Sequence, residues 1–302
     1  MKRTLLLIII ILIIGQAANA QCCAPGNPAS GSEHTGILPK NTLRTITFYK
    51  HSFSDTYYEI SEKSGYQDSR AGYDFVGEVV SFGLLQKLSV EAELGYYFDK
   101  YQDSEVLGML KTHGITNAVL SLKYAVLKSK KNFELTLGSG IKLPLSQKIF
   151  HDEYGVPFPQ EIQPSTGAFG FVGQLYMLKS FKENKWRLVF NGRYESNGFN
   201  QDDYRFGDVF ISSLFIGRSL TKNWSATLQF RNEYRLEDYQ GEVRYLFTGG
   251  DIMFLSPQIS HTFKKRITLT VMGDLPVYRH YNGIQLGPKY AFGFSLLKDF
   301  CL

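Results

Sequence analysis

The feature that most constrains this chain is a two-residue polarity alternation, sustained over about a dozen long segments, with no apolar run long enough for a helix to span a bilayer after the first 20 residues. Trp186, Leu188, Phe190 and Tyr194 fall on one side of their segment, with Arg187, Asn191, Arg193 and Glu195 on the other. Trp224, Ala226, Leu228, Phe230 and Tyr234 oppose Ser225, Thr227, Gln229, Arg231, Glu233 and Arg235. Val90, Ala92, Leu94, Tyr96 and Phe98 oppose Glu91, Glu93, Tyr97 and Asp99, and the Leu-rich face of 133–143 opposes Glu134, Thr136 and Lys142. A helix would scatter such residues around its circumference, whereas a strand sends alternate side chains to opposite faces. The pattern specifies strands with one oily and one wet side.

Twelve strands are expected, near 43–53, 73–84, 89–99, 115–127, 133–143, 167–180, 185–196, 207–220, 224–236, 250–263, 266–278 and 287–300. Their connections alternate in length. Short basic turns (Gln86-Lys87, Lys128 to Asn132, Lys182 to Lys185, Thr221 to Asn223, Lys264-Lys265) alternate with longer polar stretches at 54–72, 100–114, 144–166, 197–206, 237–249 and 279–286. An even strand number with alternating connections is the signature of an all-β transmembrane antiparallel up-and-down β-barrel of the bacterial outer membrane. A soluble β-sandwich also alternates, but its strands average about 5–6 residues and its outward face is the polar one. Here the apolar faces end in aromatics, as membrane-interface girdles do (Trp186, Tyr194, Trp224, Tyr234, Tyr124).

The N-terminus agrees with export. Met1-Lys2-Arg3, the apolar run Leu5 to Ile14 and the small-x-small site Ala18-Asn19-Ala20 compose a signal peptide over 1–20. Gln21 in front of Cys22 disfavours lipid attachment, which needs a small residue there. Residues 21–42 read as a periplasmic linker rich in Cys, Pro and Gly, and 43–302 as the barrel. An even strand count would leave both termini in the periplasm. Removing Lys2 and Arg3 lowers the formal charge from +5 to +3, too weak a balance to suggest nucleic-acid binding. The barrel's expected partners are outer-membrane lipid, the barrel assembly machinery that reads a final aromatic-bearing strand (Tyr290 to Phe300), and a small-molecule solute.

Three stretches resemble a known family of outer-membrane barrels, described as "Putative MetA-pathway of phenol degradation" and often called transporters. They are Gly114 to Pro144, Asp208 to Gly217, and Leu255 to Gln258 together with Asp274 to Leu286 (DLPVYRHYNGIQL). The resemblance implies an outer-membrane barrel that passes small molecules, hydrophobic ones among them.

Candidate functional residues follow from the wet face. Arg187, Arg193, Glu195, Arg231, Glu233 and Arg235, read as lying on two neighbouring strands, are expected to face the lumen, with Glu91, Glu93, Lys123, Glu134 and Lys142 extending the set. They would form either a charged constriction that selects solutes or salt bridges that fill a narrow barrel. Pro144, Pro257 and Pro276 mark strand ends or bulges, or a kinked wall that opens sideways to lipid. Cys22, Cys23 and Cys301 would share the periplasm, where a structural role, a disulfide or a soft-metal site is open to them. An enzymatic reading would need His113, His151 or His280 to join Asp152, Glu153 or Tyr281, or Asp202-Asp203 to bind calcium, but no nucleophile motif accompanies them. The chain is therefore read as a passive channel without a cofactor, the alternative being an occluded barrel that presents loops or docks a periplasmic partner.

Overall fold

A computed structural model describes residues 36–65, 69–104, 108–129, 132–181, 185–263 and 267–302. The signal peptide, Cys22, Cys23 and most of the linker lie outside the described residues, as do parts of three short basic turns.

Twelve antiparallel strands close into a barrel. They are β1 (Thr42–Glu59), β2 (Ser69–Leu85), β3 (Leu88–Ser104), β4 (Asn117–Ser129), β5 (Phe133–Pro144), β6 (Gly170–Phe181), β7 (Trp186–Asn197), β8 (Val209–Ser219), β9 (Trp224–Arg235), β10 (Gly250–Phe263), β11 (Ile267–Tyr281) and β12 (Ile284–Cys301). Each pairs with its sequence neighbours, and β12 pairs with β1 from Thr42↔Cys301 to Glu59↔Ile284, so the ladder has no free edge. In a bilayer every backbone group must find a partner within the protein, and closure supplies it. Strands of 11 to 18 residues, rising about 3.3 Å per residue and tilted by roughly 40°, are long enough to cross the hydrocarbon.

The period-2 alternation sorts the side chains as the sequence requires. Leu94, Tyr96, Phe98, Leu120, Leu122, Phe210, Phe230, Phe292 and Phe294 are exposed on the outer wall, and Trp186, Trp224, Tyr124, Tyr194 and Tyr234 are exposed near strand ends. The outward acidic side chains of β2 are given donors in the plane of the wall. Tyr49 donates to Asp74 at 2.5 Å with His51 Nδ1 at 2.9 Å, and Thr47 donates to Glu78 at 2.5 Å. Inside, an aromatic cluster (Phe48, Tyr73, Phe75, Tyr97) with Ile46, Val79 and Leu297 thickens the wall of β1 to β3. It can do so because the strands are carved beneath it. The Phe48 ring lies over Gly77, where an added Cβ would meet Cζ at 2.0 Å.

Three stretches expected to be long loops are largely strand. β1 and β2 run on to Glu59 and back to Ser69, β3 reaches Ser104, and a further strand, Gly108–Ile115, pairs with β3 before the chain kinks at Thr116 into β4. The expected loop 279–286 shrinks to a turn at Asn282-Gly283, with Gly283 at φ +95°. Polar residues read as loop because water can cover them, yet above the membrane a hairpin satisfies their backbone groups equally well. Register shifts at Phe53/Ser54 and Ser54/Thr56, opposite Pro288, absorb the missing donor of that proline.

Candidate functional site

Parity sends the charged residues inward, and closure decides which of them meet. Near the short-turn rim, Lys123 Nζ lies 2.5 Å from Glu91, which also accepts from Ser81 at 2.7 Å. At mid-height Arg193 crosses the lumen to Glu93 at 2.8 Å and holds Glu195 at 2.7 Å. Lys142 completes that group, 3.1 Å from Glu195 and bonded to Asn197. On the opposite wall Arg231 lies 2.9 Å from Asp274 and 2.8 Å from Glu233, while Lys50 reaches the same Asp274 at 2.8 Å. Arg231 also stacks over Phe254, 4.5 Å from its ring centre. Arg187 sits half-buried at the short-turn end of β7, opposite Gly217. Glu134 accepts the Ile37 backbone N–H at 2.8 Å.

The strands bearing the four arginines are not neighbours. β7 and β9 flank β8 and run in the same direction, so Arg193 and Arg231 find acids on other walls rather than each other's. Lys50, Asp274 and Asp238 complete these groups and were not among the residues singled out from the sequence. Asp274 shares the inward parity of Thr268 and Thr270, which is the signal that would have found it.

Both mouths are narrowed by chain. At the short-turn end Ile37 and Leu38 are buried, and the Leu38 N–H donates to Ser89 at 3.1 Å. At the long-loop end the 145–169 connection turns inward through a short 3-10 helix, Gln160–Ile162, and buries Ile162 completely. Lys100 Nζ holds the Gln163 carbonyl at 3.0 Å and Thr112 the Ile162 carbonyl at 2.6 Å. A second knot centres on Asp238, which is fully buried. Arg235 Nη2 lies 2.6 and 2.8 Å from its two oxygens, the Tyr204 hydroxyl donates at 2.5 Å and the Gly207 N–H at 2.6 Å. Burial, reinforced by Glu161 and Asp238, raises the Tyr204 hydroxyl's pKa and keeps it a donor. Burial and the nearby Asp238 likewise push Glu161 above the ordinary glutamate range.

Between the caps three chambers follow one another. The first, of about 500 Å³, shares Glu93 and Arg193 with a second of about 720 Å³, which shares Val209 and Arg235 with a third of about 790 Å³. Leu94, whose side chain belongs to the outer wall, borders the second chamber beside the kink at Thr116. Pro144 ends β5, Pro257 lies opposite Leu228 within β10, and Pro276 sits at a register shift between β10 and β11.

The loop residues considered for catalysis are not gathered. His113 packs on Phe150, His151 bridges to Pro157, and His280 lies near Ser61. Asp202 accepts from Gln160 at 2.8 Å. Among the described residues no group of three His, Cys, Asp or Glu is arranged to hold a metal, and Cys301 is exposed.

Comparison with known proteins bears on this arrangement. Residues 96–277 match the family model described as "Putative MetA-pathway of phenol degradation". The chain belongs to that family. Among solved structures, an outer membrane channel from Pseudomonas putida F1 superposes with a TM-score of 0.71 at 14% identity, covering 92% of this chain and 100% of that one. A Pseudomonas aeruginosa FadL homologue is more distant, with a TM-score of 0.49 at 9% identity, covering 92% of this chain and 99% of that one. No curated protein sequence matches. The family match and the twelve-strand closure together identify an outer-membrane-type β-barrel.

Proposed function

We propose that this barrel is a passive conduit for small molecules across the outer membrane, with its long loops outside and both termini in the periplasm. The observation that carries the reading is the run of three adjoining chambers between the caps. Lumen charges are paired with opposite charges within reach, so the route favours uncharged solutes over ions. Leu94 supports a hydrophobic cargo, since a lipid-facing side chain borders the middle chamber. Leu94→Arg is expected to lower uptake of a hydrophobic tracer into proteoliposomes while leaving ion conductance unchanged. Purified protein that gives neither single-channel conductance in planar bilayers nor solute-driven liposome swelling would refute the conduit.

The two caps and the paired charges also favour a second reading, an occluded barrel that presents its loops or docks a periplasmic partner. Under that reading the wild type is silent, and Arg193→Ala combined with Arg231→Ala unlocks conductance. A wild type that already conducts, with little change in the double variant, counts for the conduit.

A further inference from the structure

The chamber nearest the short-turn rim has an unbalanced hydrogen-bond inventory. It lies above the Gly36–Lys40 segment, since Tyr176 lines it and the same ring touches Gly36. Arg193 and Glu93 close it from the other side. Two carboxylates (Glu91, Glu93) and two cations (Lys123, Arg193) line it, so it carries no net charge. Its cationic donors and the Gln174 amide are turned to acceptors of the wall. Lys123 goes to Glu91, Arg193 to Glu93 and Glu195, and Gln174 Nε2 to Glu93 Oε1 at 3.3 Å. Two buried acceptors are left over. Glu93 Oε2, on a side chain only 3% exposed, and Gln174 Oε1 have no hydrogen-bond partner among the described residues.

A buried acceptor without a donor is costly, and two in one cavity select an occupant that brings hydrogens. The remaining wall sets Ile211, Leu175, the Tyr176 ring and the side-chain-free Gly138 and Gly192 beside the polar Thr136, Asn191 and Ser213. The empty space there amounts to about 500 Å³ with its openings to solvent included. We propose that this chamber is a binding site for a small uncharged molecule that carries a hydrogen-bond donor, in its simplest form an alcohol on a compact apolar body. The assignment rests on the lumen being a route for small molecules and names the class of solute that pauses in it. Glu93 Oε2 and Gln174 Oε1 accept from the solute's hydroxyl, and Ile211, Leu175 and the Tyr176 ring take its apolar body.

The test uses the full mature protein in lipid nanodiscs, with cyclohexanol and its methyl ether as probes of similar shape, one with a donor and one without. Ligand-observed NMR titration is expected to show cyclohexanol bound about tenfold or more tightly than the ether, as a hydrogen bond to a charged acceptor implies. Gln174→Leu removes one open acceptor and should shrink that preference severalfold. Glu93→Gln turns its carboxamide oxygen to Arg193 and its NH2 into the chamber, and should reverse the preference toward the ether. Heat-modifiable migration on gels establishes that each variant is folded, and should neither fold, the probe pair on the wild type decides alone. Equal affinity for the two probes, or a preference untouched in both folded variants, overturns the site and means that its acceptors are simply hydrated. Conductance distinguishes this failure from that of the conduit. A barrel that conducts without probe preference loses only the site, and one that binds cyclohexanol but never conducts loses only the conduit.

Discussion

Asp238→Asn tests how the long-loop cap is held shut. The carboxylate is fully buried and is contacted by the Arg235 guanidinium, the Tyr204 hydroxyl and the Gly207 N–H, all within 2.8 Å. The amide keeps the volume but removes the charge that balances Arg235, and turns an NH2 toward one of the existing donors. Breaking a buried ion pair from one side costs about 3–5 kcal/mol. Taking about 4 kcal/mol, the open population of the cap rises by roughly three powers of ten. That cost is local. Asp238 lies on a small three-stranded sheet of loop segments (Tyr204–Arg205, Asp238–Gln240, Val243–Tyr245), while the barrel ladder closes without it. The variant should therefore remain a folded, heat-modifiable barrel, yet lose hydrogen-exchange protection and be nicked by protease in 145–169 and 237–249. Tyr204→Phe removes one bond to the same carboxylate and should show a weaker form of the effect, about 1.5–3 kcal/mol. Loops as protected in Asp238→Asn as in the wild type would refute the idea that this carboxylate holds the cap. Loss of the whole barrel would refute the claim that its role is local.

The same cap should respond to pH through Glu161, whose burial and nearness to Asp238 favour the protonated acid in the closed arrangement. That preference strengthens the closed cap at pH below the ordinary glutamate range and is lost as pH climbs through the raised value. Protease sensitivity of the loops should accordingly rise with pH, and Glu161→Gln, neutral at every pH, should flatten the profile. At the other mouth, Leu38→Ala removes a side chain only 1% exposed, at a cost of about 2–5 kcal/mol to that segment's seating. Its conductance in planar bilayers should exceed the wild type's; an unchanged trace would mean that the Gly36–Lys40 segment does not limit the path.

How much of this was legible in the sequence depends on the range of the interaction. The inward placement of Glu91, Glu93, Lys123, Glu134, Lys142, Arg193 and Arg231 is a local matter, since a strand alternates its side chains whatever it pairs with. The same locality explains why the twelve strands could be counted, and why β5 to β10 begin and end within a few residues of their expected positions. The hairpins above the membrane were misread as loops because polar, glycine-bearing sequence is compatible with either state. Only pairing partners, such as Arg70 against Asp103, decide for strand. The caps were invisible for a related reason. Ile162 in a polar connection and Ile37-Leu38 in a linker are ordinary apolar residues until a lumen exists to bury them.

The alternation of oily and wet residues by itself determined a closed barrel with charges inside, because every two-residue step constrains its own side chain. Only the tertiary structure decided which charges meet. Glu93 and Arg193 are 100 residues apart, and Lys50 finds Asp274 only where β1 pairs with β12 and shuts the cylinder. Closure sets distances that no local pattern encodes, and with them the paired lumen, its chambers and the two acceptors left open between Glu93 and Gln174.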